Sequence, residues 1–313
     1  MKTDFSYPSA DGKNTVHAIE WKPEGEIKAI LQISHGMTSH IGRWGRFAEY
    51  LNGFGILVTG NDHLGHGLTA KNAEDLGFFG HPDGNAHVIA DLHELRRQTQ
   101  EKYPGVPYFM LGHSMGSFLI RQYAMLHGDG LAGVVVMGTG SQPGAVLAAG
   151  KAVCRVLALF AGWRHRSNLV NAMAFGSYTK AIPNARTHYD WLTKETAVVD
   201  AYLADPLCGY VFTLNGFYQM FSFIGFIQKK ENIDRIPKDL PLLLVSGGAD
   251  PVGGFGKGVE TARDGFTAAG ITDVEMILYP DDRHEILNET DGDKVREDIK
   301  NWMTARLPAE ENR

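Results

Sequence analysis

A serine stands between two glycines in Gly112-His113-Ser114-Met115-Gly116, at the end of the apolar run Val106 to Leu111. A serine hydroxyl is a weak nucleophile until a base takes its proton, so Gly-x-Ser-x-Gly implies acyl transfer only if a histidine and an orienting acid accompany it. A tight turn with an incidental serine would need the same glycines, and context has to decide between them. Here the serine follows a strand-like run and opens Ser114 to His127, a largely apolar segment that reads as a buried helix. Strand, sharp turn and helix form a nucleophile elbow, in which small neighbours let strand and helix approach while a strained serine lifts its Oγ clear. On such a turn the acid and then the histidine follow the nucleophile along the chain. Of thirteen histidines only His284 lies beyond His188, in the loop YPDDRHEIL. Asp250, in Gly247-Gly248-Ala249-Asp250-Pro251, comes just past the preceding strand-like run; Asp281 and Asp282, on the histidine's own loop, are rival acids. The tetrahedral oxyanion needs two backbone N–H groups, expected from Met115 and from Met37 in Ser34-His35-Gly36-Met37, where Gly36 lets the chain turn.

These side chains can meet only if the intervening segments form a layered fold. Ile27–Ser34, Gly55–Thr59, Val106–Leu111, Gly133–Met137, Leu240–Ser246 and Val274–Tyr279 are short apolar runs bounded by Gly, Pro or Asp. Apolar on both faces, they predict strands of a parallel sheet covered by helices on either side. Thr15–Trp21 alternates and predicts an antiparallel edge strand with one wet face. Between the runs, Val88, Leu92 and Leu95, then Val259, Ala262, Phe266 and Ala269, then Val295, Ile299, Trp302 and Met303 mark amphipathic helices. The alternation predicts a doubly wound, mostly parallel α/β sheet with its functional loops at the carboxyl ends of the strands. From Ser141 to Arg235 the strand rhythm stops, which predicts a helical cap over residues 141–235 inserted into a core formed by 1–140 and 236–313.

A chain of 313 residues with a net charge of -6 has the size for a full core and no basic footprint for nucleic acid. Cys154 and Cys208 are too few for a disulfide framework and suit a reducing compartment. The N-terminal stretch turns polar within a few residues, so no signal peptide is expected and a soluble, cytoplasmic protein is. Ala145–Trp163 is interrupted by Lys151 and Arg155, which argues against a spanning helix but leaves room for weak membrane-surface contact through the cap. Asp62, His63 and His66 have types that bind zinc, yet HExxH is absent and no metal or other cofactor is expected. GGFGKG at Gly253–Gly258 fails as a phosphate loop because Pro251 and Gly258 occupy two of its defining positions.

His35-Gly36 with nearby His40, Asp62-His63-Leu64-Gly65-His66-Gly67, Gly112 to Gly116, Gly247 to Asp250 and His284 together resemble the α/β-hydrolase superfamily, in its monoacylglycerol lipase and lysophospholipase-like branch with a serine aminopeptidase S33-type domain. These matches span nearly the whole chain; one departure is Ser117, where that branch commonly has a second glycine. The resemblance implies an α/β-hydrolase fold and a small, lipid-like acyl ester as substrate, and it implies no protein partner of its own accord. It places the Asp62–Gly67 loop in structure around the site. Gly36, His113, Phe217 and Phe221 are candidates for substrate contact. An aminopeptidase on the same machinery would need cap carboxylates for the substrate ammonium, and Glu195, Asp200 and Asp205 are available. Epoxide or haloalkane hydrolysis would need a carboxylate at position 114; a non-enzymatic binding protein would tolerate loss of a triad member, and none is missing.

Overall fold

A computed structural model describes residues 1–308; the last residues of the expected second core segment, 309–313, lie outside the described residues. The strands are β1 (Lys2–Pro8), β2 (Thr15–Trp21), β3 (Ala29–Ser34), β4 (Ile56–Asn61), β5 (Tyr108–His113), β6 (Gly133–Met137), β7 (Leu242–Gly247) and β8 (Val274–Tyr279). They form one eight-stranded sheet in the order β1-β2-β4-β3-β5-β6-β7-β8. The pairs from β4 through β8 are parallel, and only β1 with β2 and β2 with β4 are antiparallel. Thr15–Trp21 is therefore a strand as expected but not the edge. Lys2–Pro8, too polar to read as a strand, covers its outer side in a hairpin, and Val16 and Ala18 are buried.

The helices are α1 (Gly45–Asn52), α2 (Gly84–Lys102), α3 (Met115–His127), α4 (Gly144–Ala161), α5 (Asn168–Phe175), α6 (Thr196–Ala204), α7 (Leu214–Ile227), α8 (Lys230–Ile233), α9 (Lys257–Ala268) and α10 (Gly292–Thr304). Successive side chains of a strand point to opposite faces, and the two cores divide on that period. Met110, Val134, Val136, Leu242 and Leu244 pack under α2, α3, α7 and α9. Phe109, Leu111, Val135, Leu243 and Val245 pack under α1 and α10 with Phe47, Val295 and Ile299. Each fully buried Leu, Ile or Val contributes about 1.5–3 kcal/mol, so the continuous apolar runs stabilise both layers.

Residues 141–235 run between β6 and β7 as α4 through α8, with no strand beyond an isolated bridge between Arg166 and Thr213. α7 packs on α4 on one side and on α2 and α3 on the other. Its Phe217, Phe223 and Ile227 belong to the same hydrophobic cluster as Leu119 and Tyr123 of α3, which fastens the inserted segment to the sheet's own covering helices.

Candidate active site

Gly112 lies next to the last residue of β5 and Gly116 in the first turn of α3, and neither has room for a side chain. A Cβ at Gly112 would stand 2.2 Å from the Gly116 carbonyl oxygen, and one at Gly116 would stand 2.0 Å from the Ser34 carbonyl oxygen. Between them Ser114 takes φ 55° and ψ -121°, a conformation L residues avoid. The turn is held from both sides: the Ser114 N–H donates to the Met137 carbonyl at 3.0 Å, and the Ser117 hydroxyl donates to the Ser114 carbonyl at 2.6 Å. The serine at 117 thus caps the turn with a bond that a glycine cannot make.

His284 and Asp250 arrive on the loops after β8 and β7. His284 Nδ1–H donates to Asp250 Oδ2 at 2.8 Å, and both side chains are buried. Asp250 Oδ1 accepts from the Val252 N–H at 2.8 Å, so one carboxylate oxygen is fixed by backbone while the other orients the imidazole. His284 Nε2 is buried and without a hydrogen-bond partner among the described residues, and His284 lines the same cavity as Ser114. The rival acids are placed elsewhere. Asp281 is exposed, and Asp282 accepts from Lys194 Nζ at 3.3 Å while burial, Asp291 and Glu289 push its carboxyl up to about 6.

The backbone N–H groups of Met37 and Met115 donate to no protein acceptor among the described residues, and both residues line the cavity. Gly36 brings them near the serine, since a Cβ there would stand 3.1 Å from Ser114 Cβ. Behind this loop His35 Nδ1–H donates to the Gly36 carbonyl at 2.8 Å, and His35 Nε2 accepts from the His63 N–H at 3.1 Å. That pattern requires a neutral ring, in keeping with burial pushing His35 down to about 4. Asp62 accepts from the Ile41 and Leu68 N–H groups and from His17 Nδ1, each within 2.9 Å. Burial holds His66 down to about 3 and His63 well below its ordinary value. Asp62, His63 and His66 therefore brace the loop that carries Met37 by backbone and ring contacts.

His113 and Phe217 differ from their expected parts. His113 lines the cavity, but its Nε2–H donates to the His284 carbonyl at 3.1 Å and its ring packs 4.6 Å from that of His284. Burial holds it down to about 3, so it supports the histidine as a neutral ring. Phe217 is fully buried and does not line the cavity; it sits behind Phe175 and Phe221, both of which reach the wall. Helical periodicity marked both rings as apolar but did not say which side of α7 faces the void.

The cavity holds about 830 Å³, within the range of small-molecule sites. Its wall from α4 and α7 is apolar, with Leu147, Val153, Met220, Phe221 and Ile224. The wall near the oxyanion loop is polar, with Thr38, Ser39, Arg43, Tyr202 and Glu285. Arg43 Nη1 and Nη2 donate to Glu285 Oε1 and Oε2 at 2.7 and 2.9 Å, tying the segment after β3 to the loop that carries His284. Nothing in the sequence flagged this pair, whose partners are far apart in the chain. The cap also grips the histidine loop: Glu285 N–H donates to the Leu192 carbonyl at 2.7 Å, and Arg283 Nη1 to that of Asp190 at 2.6 Å. Glu195, Asp200 and Asp205 do not line the cavity; they bond Thr290, Arg186 and His40. Cys154 and Cys208 are buried free thiols.

Residues 25–291 match the family model for serine aminopeptidase, S33. The chain belongs to that family of α/β-hydrolases. A monoacylglycerol lipase of Mycolicibacterium smegmatis is 24% identical over 309 residues, which cover 98% of each chain. A highly thermostable carboxyl esterase from Bacillus coagulans, solved in complex with glycerol, superposes with a TM-score of 0.91 at 30% identity, covering 98% of this chain and 99% of that one. A soluble variant of the Saccharomyces cerevisiae monoglyceride lipase superposes with a TM-score of 0.79 at 21% identity over 99% of this chain and 96% of that one, a likeness of fold.

Proposed function

We propose that this chain is a carboxylic ester hydrolase that cleaves monoacylglycerols or similar single-chain acyl esters through an acyl-enzyme. The observation that carries the reading is the buried Asp250–His284 pair with its outer nitrogen unpartnered, in one cavity with a serine on a strained strand-to-helix turn. Ser114 Oγ attacks the ester carbonyl carbon as His284 Nε2 takes its proton. The developing oxyanion receives the Met37 and Met115 N–H groups, and the α3 N-terminus favours its charge. His284 then passes the proton to the leaving alcohol, and a water deprotonated by the same nitrogen releases the fatty acid. Asp250 keeps the Nδ1–H tautomer throughout.

The apolar α4–α7 wall suits an acyl chain and the polar wall a hydroxylated alcohol, and relatives named as monoacylglycerol lipases fit that division. An aminopeptidase would need a carboxylate facing the serine, and Glu285, the one acid on the wall among the described residues, is already committed to Arg43. In this reading residues 141–235 act as the cap that selects substrate. The enzyme works in the cytoplasm and touches lipid surfaces through α4. The test is a panel of esters of graded chain length, monoacylglycerols, lysophospholipids and aminoacyl amides, assayed on wild type and Ser114→Ala. Ester turnover abolished in the variant supports the mechanism; turnover persisting there, or no turnover of any ester by wild type, overturns it.

A further inference from the structure

Outside the cavity the described residues bring together His40, Asp205 and Cys208, whose ligand atoms all lie within 4.8 Å of one another. We propose that these three side chains form a site for a thiophilic divalent cation, with zinc the best fit, that fastens the cap to the loop after β3.

Chemistry and local geometry support the site together. Imidazole nitrogen, carboxylate oxygen and thiolate sulfur are the donors of zinc sites, and tetrahedral coordination sets such atoms about 3.5 Å apart, a small adjustment from the spacing found. Asp205-Pro206-Leu207-Cys208 is a turn in which the Cys208 N–H donates to the Asp205 carbonyl at 3.0 Å, so two ligands three residues apart face the same way. Pro206 stiffens that turn. Asp205 Oδ1 accepts from the Leu207 N–H at 2.8 Å, which orients the carboxylate and leaves Oδ2 toward His40 Nε2 at 2.9 Å. A cation would take the place of the proton between those two atoms as the imidazole moves that proton from Nε2 to Nδ1, and would draw in Cys208 Sγ as a thiolate, the thiol proton passing to solvent. His40 and Asp205 are partly exposed, with side chains 17% and 29% accessible, so an ion can enter and a water can fill the fourth position.

The consequence is mechanical. Gly209 N–H and Tyr202 OH both donate to the Thr38 carbonyl, at 3.3 and 3.0 Å, and Thr38 and Tyr202 line the cavity. A metal at this point clamps the cap segment to the loop that carries Met37.

The experiment is titration of chelator-stripped protein with Co2+, read by the near-ultraviolet thiolate-to-cobalt charge-transfer band and the visible bands of tetrahedral cobalt. One equivalent should produce both, and Zn2+ should displace them. Cys154→Ser should keep the bands, Cys208→Ser should lose the charge-transfer band, and His40→Gln and Asp205→Asn should each weaken binding about tenfold or more. Far-ultraviolet circular dichroism identifies variants that fold, and Zn2+ should raise the melting temperature of wild type but not of folded Cys208→Ser. Absence of the band in wild type, its persistence in Cys208→Ser, or unchanged affinity in both folded His40→Gln and folded Asp205→Asn overturns the site.

Discussion

Ser114 at φ 55° is the strained point of the molecule's chemistry, and its cost is met by the bonds on either side of the turn and by the closeness the two glycines permit. The partners divide the remaining work. Asp250→Asn keeps a hydrogen-bonding group beside His284 but reverses the tautomer that Nε2 needs, so kcat on a soluble ester should fall by about 10⁴-fold with little change in KM; a loss under tenfold would remove Asp250 from the role. Glu285 offers a separate test. Burial works to raise its carboxyl, but the Arg43 guanidinium prevails and holds it down to about 2. Because the folded value lies below the unfolded one, the stabilisation is full above about pH 4.5 and is lost as pH falls toward 2, on the order of 3 kcal/mol in all. Urea unfolding across that window should be steeper in pH for wild type than for Glu285→Gln. At neutral pH, Arg43→Met strands a buried carboxylate and should cost about 3–5 kcal/mol, part of which Arg43→Met/Glu285→Gln recovers; a double variant no more stable than the single would refute the pairing. The pairing of His284 with Asp250 beside the Ser114 turn was legible because chain order narrows the choice. Arg43 and Glu285 were not, because a pair formed by two distant loops leaves no local pattern.

At the scale of elements, the strands of the parallel region were readable because burial on both faces makes them continuous apolar runs, and the helices because each keeps one apolar stripe. β1 escaped because its residues are mostly exposed and only its pairing with β2 makes it a strand. The contact between α4 and α7 was likewise unreadable, since both helices are apolar on more than one side. Gly150 settles it: a Cβ there would stand 2.7 Å from the Phe221 ring, so α4 lies against α7 where the cavity wall is built. Gly150→Val should push Phe221 into the acyl end of the cavity. Turnover of long-chain esters should then fall at least tenfold relative to short-chain esters, read as the ratio of kcat/KM values across chain lengths. An equal loss for all lengths would mean that this wall does not hold the acyl chain.

For the whole molecule, the distribution of apolar surface matters more than its amount. Leu147, Gly150 and Cys154 of α4 are buried on the side that meets α7, while Leu159 and Phe160 at its far end are 82% and 88% exposed, Val156 one turn earlier is exposed as well, and Val146, Leu169 and Met173 are exposed elsewhere on the same inserted segment. By length and composition α4 could cross a membrane, yet crossing would strip it from α7 and open the cavity wall. Lying on a lipid surface keeps that packing and covers the exposed side chains. The monoacylglycerol proposed above as substrate resides in such a surface, so contact there would bring the cavity to it. Leu159→Asp/Phe160→Asp should therefore reduce sedimentation with anionic phosphatidylglycerol/phosphatidylcholine vesicles several-fold and slow hydrolysis of vesicle-borne monoacylglycerol by a similar factor. Neither residue lines the cavity, so turnover of a short soluble ester should stay within twofold of wild type. Equal losses on both substrates would point to a damaged fold, and unchanged vesicle binding would show that this apolar face serves no membrane.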